Sequence, residues 1–302
     1  MSQWRGPFLI AVAALLWATD ALFRVRLVNT LHPTFIVFFE HLVCVTALLP
    51  WILLRKRREI FQLNFTQWCA VTLIGIGGSA IATVFFTASF KYVNPSVSIL
   101  LQKLQPVWVT LLAILLLKER PQKGFFFWGL LALAAAVVLS FPDLNFNFMK
   151  EGVDLKSKGV SYALIAAGLW GVATVAGKIL LNSIPPSVVS FWRFIFGWIT
   201  LGILLLLSET SIPWEVIQQP DTLRTLAYMG LVPGLAAMVC YYSGLQRTKA
   251  TTTTFIELIF PVAAVALNTY FLSIPLEPVQ IVGGILLLVA VTNISYRNGA
   301  SQ

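Results

Sequence analysis

The first half of this chain returns in the second, 153 residues later. Gly6 to Glu40 aligns without a gap on Gly159 to Arg193, with 9 identities in 35 positions. They include Ala13/Ala166, Leu16/Leu169, Trp17/Trp170, Asn29/Asn182, Pro33/Pro186 and Phe38/Phe191. Later segments repeat at an offset of 155, as Gly75/Gly230, Ala82/Ala237 and Pro106/Pro261. Each copy carries an odd number of apolar runs. If those runs cross a membrane, the second copy sits upside down relative to the first, which is how many secondary transporters build two interconvertible faces around one central site.

The runs are long enough to cross. The chain is 58% hydrophobic and 11% charged over 302 residues, with a mean hydropathy of +0.83. A soluble domain carries about a quarter of its residues as charges. Ten apolar runs, at 7–28, 34–54, 67–89, 96–117, 124–141, 158–180, 187–207, 222–245, 250–271 and 276–296, each suit the hydrocarbon core of a bilayer. Continuous rather than alternating apolarity argues against a membrane β-barrel. The expectation is an all-α, polytopic membrane protein with ten transmembrane helices arranged as a 5+5 inverted repeat. The first repeat covers 1–141, a polar linker covers 142–157 and the second repeat covers 158–302. The first run resembles a signal sequence, but its counterpart in the second half makes it part of the fold.

The net charge of +9 does not point to nucleic acid. Arg55-Lys56-Arg57-Arg58, then Lys118, Arg120 and Lys123, then Arg247 and Lys249, lie in short loops after runs two, four and eight. All fall on one side if both termini are cytoplasmic, which fits a multi-pass protein of the inner (plasma) membrane. Lys150 and Lys156 in the linker, with Lys158 just after it, run against that bias. Cys44, Cys69 and Cys240 have no metal-ligand spacing and read as small apolar residues.

Leu16-Trp17 and Leu169-Trp170-Gly171, Leu104-Gln105-Pro106-Val107 and Ile259-Phe260-Pro261-Val262, and Lys118-Glu119-Arg120-Pro121 with its looser counterpart Pro275-Leu276-Glu277-Pro278 form an ordered set. Through them nearly the whole chain resembles the EamA-type ten-helix members of the drug/metabolite transporter superfamily. The resemblance implies a permease whose central cavity is lined mainly by the first four helices of each half. It implies substrates such as amino acids, sugars or other small metabolites, often exported. Family members often carry Arg in the second helix of a repeat. Here Arg193 keeps that pattern, and Glu40 departs from it.

Ionisable groups inside spans are costly in hydrocarbon and mark candidate sites. Asp20 and Arg24, four apart, share a helix face and can pair. Asp20 also suits a substrate amine. Glu40 and Arg193 are repeat equivalents, expected near opposite ends of a cavity. Gln102 and Lys103 align with Glu257 in the same way. One arrangement pairs Glu40 with Lys103 and Arg193 with Glu257 as two alternating gates, and the other makes the pairs permanent ties. Trp17, Trp170, Phe85, Phe86, Trp108, Tyr241 and Tyr242 would wall a pocket with aromatic surface or simply pack between helices, and Thr251 to Thr254 would cap the ninth run or touch substrate. His41 is the one histidine within a run. Glu40, Asp20 and Glu257 are the acids through which protons would drive transport, with unassisted facilitation as the alternative.

The mixed charges favour a zwitterion, so amino-acid export is the leading reading, with drug or cation export next. A receptor or scaffold role is left open, as is the choice between monomer and homodimer. H-E-x-x-H, G-x-S-x-G and Walker A patterns are absent from the sequence, which argues against an enzyme and calls for no cofactor.

Overall fold

In a computed structural model of the chain, residues 4–108, 111, 124–143, 154–208, 213–248 and 256–299 are described, and their regular structure is entirely helical. Six helices are long and apolar enough to cross a membrane. These are α1 (Arg5–Val28), α2 (Pro33–Arg55), α3 (Phe65–Ser89), α6 (Leu155–Leu181), α7 (Pro186–Leu207) and α8 (Pro220–Leu245). Between and after them run α4 (Pro95–Leu101), α5 (Phe125–Ser140), α9 (Ile259–Phe271) and α10 (Pro278–Gly299). α4 continues through a 3-10 turn at Gln102–Leu104 into one more helical turn at 105–108. All ten segments stand where the apolar runs predicted them. The C-terminal part of the fourth run, most of the linker, and Thr251 to Thr254 lie outside the described residues.

The helix starts follow local chemistry. Proline opens α2, α4, α7, α8 and α10, where its missing N–H and fixed φ cost nothing. The Asn64 side chain accepts from Gln67 N while the Gln67 side chain accepts from Asn64 N, closing a capping box at the start of α3. The Asp154 carboxylate accepts from Ser157 N at 2.7 Å to begin α6.

Two interruptions are repeat-related. α3 is π-helical over Ile74–Ile81 and α8 over Gly230–Ala236. These turns contain Gly77-Gly78 and Val232-Pro233-Gly234 respectively. An inserted residue in each copy, at matching places, is typical of a functional rather than an accidental distortion.

The packing obeys a pseudo-twofold. α1 lies along α8 and, equivalently, α6 lies along α3, while α2 meets α7, α4 meets α9 and α5 meets α10. An isologous relation requires this pattern: if one helix touches a second, their equivalents touch too. Gly75 and Gly230 show it in detail. A Cβ on Gly75 would lie 3.2 Å from the Arg193 carbonyl oxygen, and one on Gly230 would lie 3.0 Å from that of Glu40. Only glycine allows both backbones to approach so closely, which lets helices pack where lipid supplies no hydrophobic drive.

α5 and α10 form a pair to one side, where Leu100, Leu139 and Leu287 share a buried cluster. Their outer faces expose Phe126, Leu130, Ile281, Ile285 and Val289, as a hydrocarbon solvent requires. The other eight helices surround the middle of the bundle.

Candidate functional site

A cavity of about 220 Å³ occupies that middle. Every residue found on its wall comes from the first four helices of either half or from the short stretch leading into α9. The resemblance implied that arrangement.

Ten of the eleven expected site residues line it: Trp17, Asp20, Arg24, Glu40, Gln102, Lys103, Trp170, Arg193, Tyr241 and Glu257. Phe85 does not. Its ring packs on Tyr162 with centroids 5.1 Å apart. The next residue, Phe86, faces the cavity instead and lies 5.2 Å from the Trp170 ring. His41, Ser79, Thr83, Gln105, Thr174, Tyr242 and Phe260 also line the wall. Of these the sequence offered Tyr242 as a pocket aromatic and did not place the others, although Ser79 and Thr83 sit four apart, as one inward helix face requires.

At one end the wall is ionic and largely buried. The Arg24 guanidinium donates from Nε to one Asp20 oxygen at 2.5 Å and from Nη2 to the other at 2.8 Å. Nη2 also stands 2.8 Å from Glu40 Oε1, and Nη1 donates to Thr87 Oγ1 at 2.7 Å. Arg24 is 4% exposed and Glu40 6%. Beyond this cluster Leu27, Val28, Leu31, Ile36, Ile217 and Leu226 pack together and close that end. Thr19 shares a 2.8 Å hydrogen bond with the Tyr228 hydroxyl, and the Phe23 ring packs tilted against Tyr228 with centroids 4.5 Å apart.

Deeper in the cavity, Lys103 Nζ stands 3.9 Å from Glu257 Oε2 and 5.0 Å from the centre of the Phe260 ring. The Tyr241 hydroxyl donates to the other Glu257 oxygen at 2.8 Å, and the Tyr241 ring lies 5.1 Å from Trp17. Trp170 Nε1 donates to the Gly78 carbonyl at 2.8 Å, which fixes the indole across the cavity. Gln105 Nε2 donates to Thr174 Oγ1 at 2.8 Å.

The expected charge pairs are corrected by this geometry. Glu40 pairs with Arg24, not Lys103, and Glu257 pairs with Lys103, not Arg193. Both errors have one cause. Position along a helix gives depth in the membrane, but not which neighbour faces which. α4 and α9 meet across the pseudo-twofold, so their equivalent positions meet each other. α1 and α2 share a loop, so Arg24 is the cation nearest to Glu40. Arg193 instead donates to Ser79 Oγ and Tyr242 Oη, each at 3.2 Å. No carboxylate pairs with it among the described residues. The Asp20–Arg24 pair stands as expected.

His41, next to Glu40, turns its Nε2 to Ser79 Oγ and its Nδ1 to the Val37 carbonyl, both at 2.8 Å. Ser79 thus joins His41 on α2 to Arg193 on α7. Among the described residues no group of three or more His, Cys, Asp or Glu is placed to hold a metal ion.

The model of the EamA-like transporter family matches this chain twice, over residues 4–141 and 157–296. The chain belongs to the EamA-like transporter family. It is 30% identical to the riboflavin transporter ImpX of Fusobacterium nucleatum over 302 aligned residues, covering 97% of this chain and 98% of that one. It is 22% identical to an uncharacterized transporter of Archaeoglobus fulgidus, covering 94% of each. A solved crystal structure with 19% sequence identity superposes on 99% of both chains with a TM-score of 0.66, which shows the fold. The protein is thus a multi-pass membrane transporter and not an enzyme.

Proposed function

We propose that the cavity carries a planar heteroaromatic solute of the flavin class by alternating access, without ATP. The observation that carries this reading is the aromatic wall itself. Trp17 and Tyr241 lie 5.1 Å apart, Trp170 and Phe86 lie 5.2 Å apart, and the amides of Gln102 and Gln105 stand on the same wall. Aromatic faces suit stacking on a flat ring system, and primary amides match its alternating donors and acceptors. The charges on the wall sum to zero, with Asp20, Glu40 and Glu257 against Arg24, Lys103 and Arg193. The printed name of the relative ImpX points to the same solute class. The repeat, the basic loops and the family together support rocking of the halves about this site, with both termini cytoplasmic.

Counterflow in proteoliposomes tests the reading. Vesicles are preloaded with unlabelled riboflavin, an aromatic or aliphatic amino acid, or a sugar, and uptake of the matching labelled solute is followed. Riboflavin is expected to give saturable overshoot, with none from the sugar. Riboflavin failing alongside folded protein would overturn the flavin reading. Trp17→Ala should raise the apparent KM for riboflavin roughly tenfold, because a lost ring contact is worth about 0.5–1.5 kcal/mol beyond its buried area.

A second reading keeps the amino-acid substrate and its export. Arg193 supports it, because among the described residues its guanidinium is bonded to hydroxyls alone and suits a carboxylate. In that case Arg193→Gln abolishes amino-acid counterflow while Arg193→Lys retains part of it, and riboflavin gives none.

A further inference from the structure

We infer that Glu40 is the proton-coupling site of this transporter, loading and releasing one H⁺ as the cavity changes sides. The inference rests on the transporter reading and adds its driving ion.

The argument begins with charge. Asp20, Arg24 and Glu40 are enclosed together, with side-chain exposures of 15%, 5% and 8%. Two carboxylates share one guanidinium. Arg24 binds Asp20 through two nitrogens within the same helix, so that pair is neutral and travels as a unit. Glu40, on the neighbouring helix, is the charge left over. A buried carboxylate that must share its one cation with a second carboxylate is costly, and taking up a proton removes that cost.

Among the described residues, no other partner on the surrounding elements supplies a second cation to Glu40. On its own helix lie His41, bonded to Val37 O and Ser79 Oγ, and the Cys44 thiol, which donates to the Gly230 carbonyl. α3 offers the Thr87 hydroxyl, already committed to Arg24 and to Thr83 O. α7 brings Arg193, which is bonded to Ser79 and Tyr242. α8 presents the backbone of Gly230 and the Tyr228 hydroxyl, which is held by Thr19.

The repeat shows that the cluster is not a requirement of the fold. At the equivalent corner of the second half, Asp20, Arg24, Glu40 and Thr87 correspond to Ala173, Gly177, Arg193 and Tyr242. That corner closes with the Tyr242 hydroxyl on Arg193, and a Cβ on Gly177 would lie 3.6 Å from the same hydroxyl. One corner of the pseudo-symmetric pair therefore carries titratable acids, and the other closes without any.

Position supplies the alternation. Glu40 lines the cavity, and Ile36, one turn earlier on the same helix, joins Leu27 and Leu31 in the buried apolar seal. With the seal closed it meets only the water of the cavity. Opening the seal parts α1 from α2 and breaks Arg24–Glu40, while Arg24–Asp20 stays intact within α1. Glu40 then meets water on the opposite face. A carboxylate that faces each side in turn carries a proton between them, and no other reactant is needed.

The test compares two drives in the same vesicles. Wild-type protein in proteoliposomes should accumulate riboflavin under an imposed pH gradient, and a protonophore should abolish that accumulation. In Glu40→Gln, the ratio of gradient-driven accumulation to riboflavin counterflow should fall at least tenfold. Glu40→Asp, which keeps a titratable group, should retain part of it. An unchanged ratio in Glu40→Gln, or wild-type accumulation indifferent to the gradient, would overturn the inference. Proton uptake by purified protein, read with a pH indicator between pH 5 and 9 without substrate, separates this from the choice of solute. Wild type should bind about one more proton than Glu40→Gln. Equal uptake would reject the site even if riboflavin proves to be the wrong substrate.

Discussion

Arg24→Ala is expected to be the most damaging single charge removal in the chain. It leaves Asp20 and Glu40 facing one another with no cation between them, in a place where Arg24 is 4% and Glu40 6% exposed. Breaking a buried ion pair by removing one partner costs roughly 3–5 kcal/mol, because the stranded charge remains enclosed. Here two charges are stranded, and the Thr87 hydroxyl loses its donor as well. Folded yield and thermal unfolding temperature in detergent should both drop well below wild type, and counterflow should be lost. The double variant Arg24→Ala/Glu40→Gln should recover much of the stability by removing the excess charge. If the double variant is no more stable than the single one, the damage comes from lost packing of the arginine stem rather than from stranded carboxylates.

Depth along the chain was easier to read than direction around each helix. The repeat was legible because glycine is demanded twice, at Gly6/Gly159 and at Gly75/Gly230, wherever equivalent helices press together. Asp20 and Arg24 were legible because four residues make little more than one turn. The partners of Glu40 and Glu257 were not, since a sequence records no neighbour across the bundle.

Phe85 and Phe86 show the same limit on a smaller scale. One residue turns a side chain by about 100° on an α-helix. The π-helical stretch over Ile74–Ile81 lies just upstream and inserts an extra residue into the phase. The sequence offers both rings for the pocket, and without the phase of α3 nothing in it prefers Phe86 to Phe85. The polar lining had a fainter signal: Ser79 and Thr83 keep one face of α3, yet hydroxyls at such spacing also occur wherever they bond their own backbone, as Thr87 does to Thr83 O.

Gly75→Ala and Gly230→Ala are each expected to destabilise the protein by roughly 1–3 kcal/mol, the usual cost of forcing a methyl group into a filled contact. On Gly230 the new Cβ would stand 2.6 Å from Val43 Cβ and 3.0 Å from the Glu40 carbonyl oxygen. On Gly75 it would stand 3.2 Å from the Arg193 carbonyl oxygen and 3.3 Å from Gly197 N. In each case the nearby atoms include backbone, which cannot swing aside, so the helices must part. Gly129→Ala in α5 is the control. Nothing lies within 4 Å of its added Cβ, and alanine's higher helix propensity should leave it neutral or slightly more stable. Thermal unfolding in detergent ranks the three. Transport should fall further than stability does, because the two contacts bear on the very turns that carry Glu40 and Arg193. A displacement of a few tenths of an ångström there moves both charges at once. If both substitutions leave unfolding and counterflow at the level of Gly129→Ala, α3 and α8 are not pressed against their neighbours as closely as the pseudo-twofold packing requires.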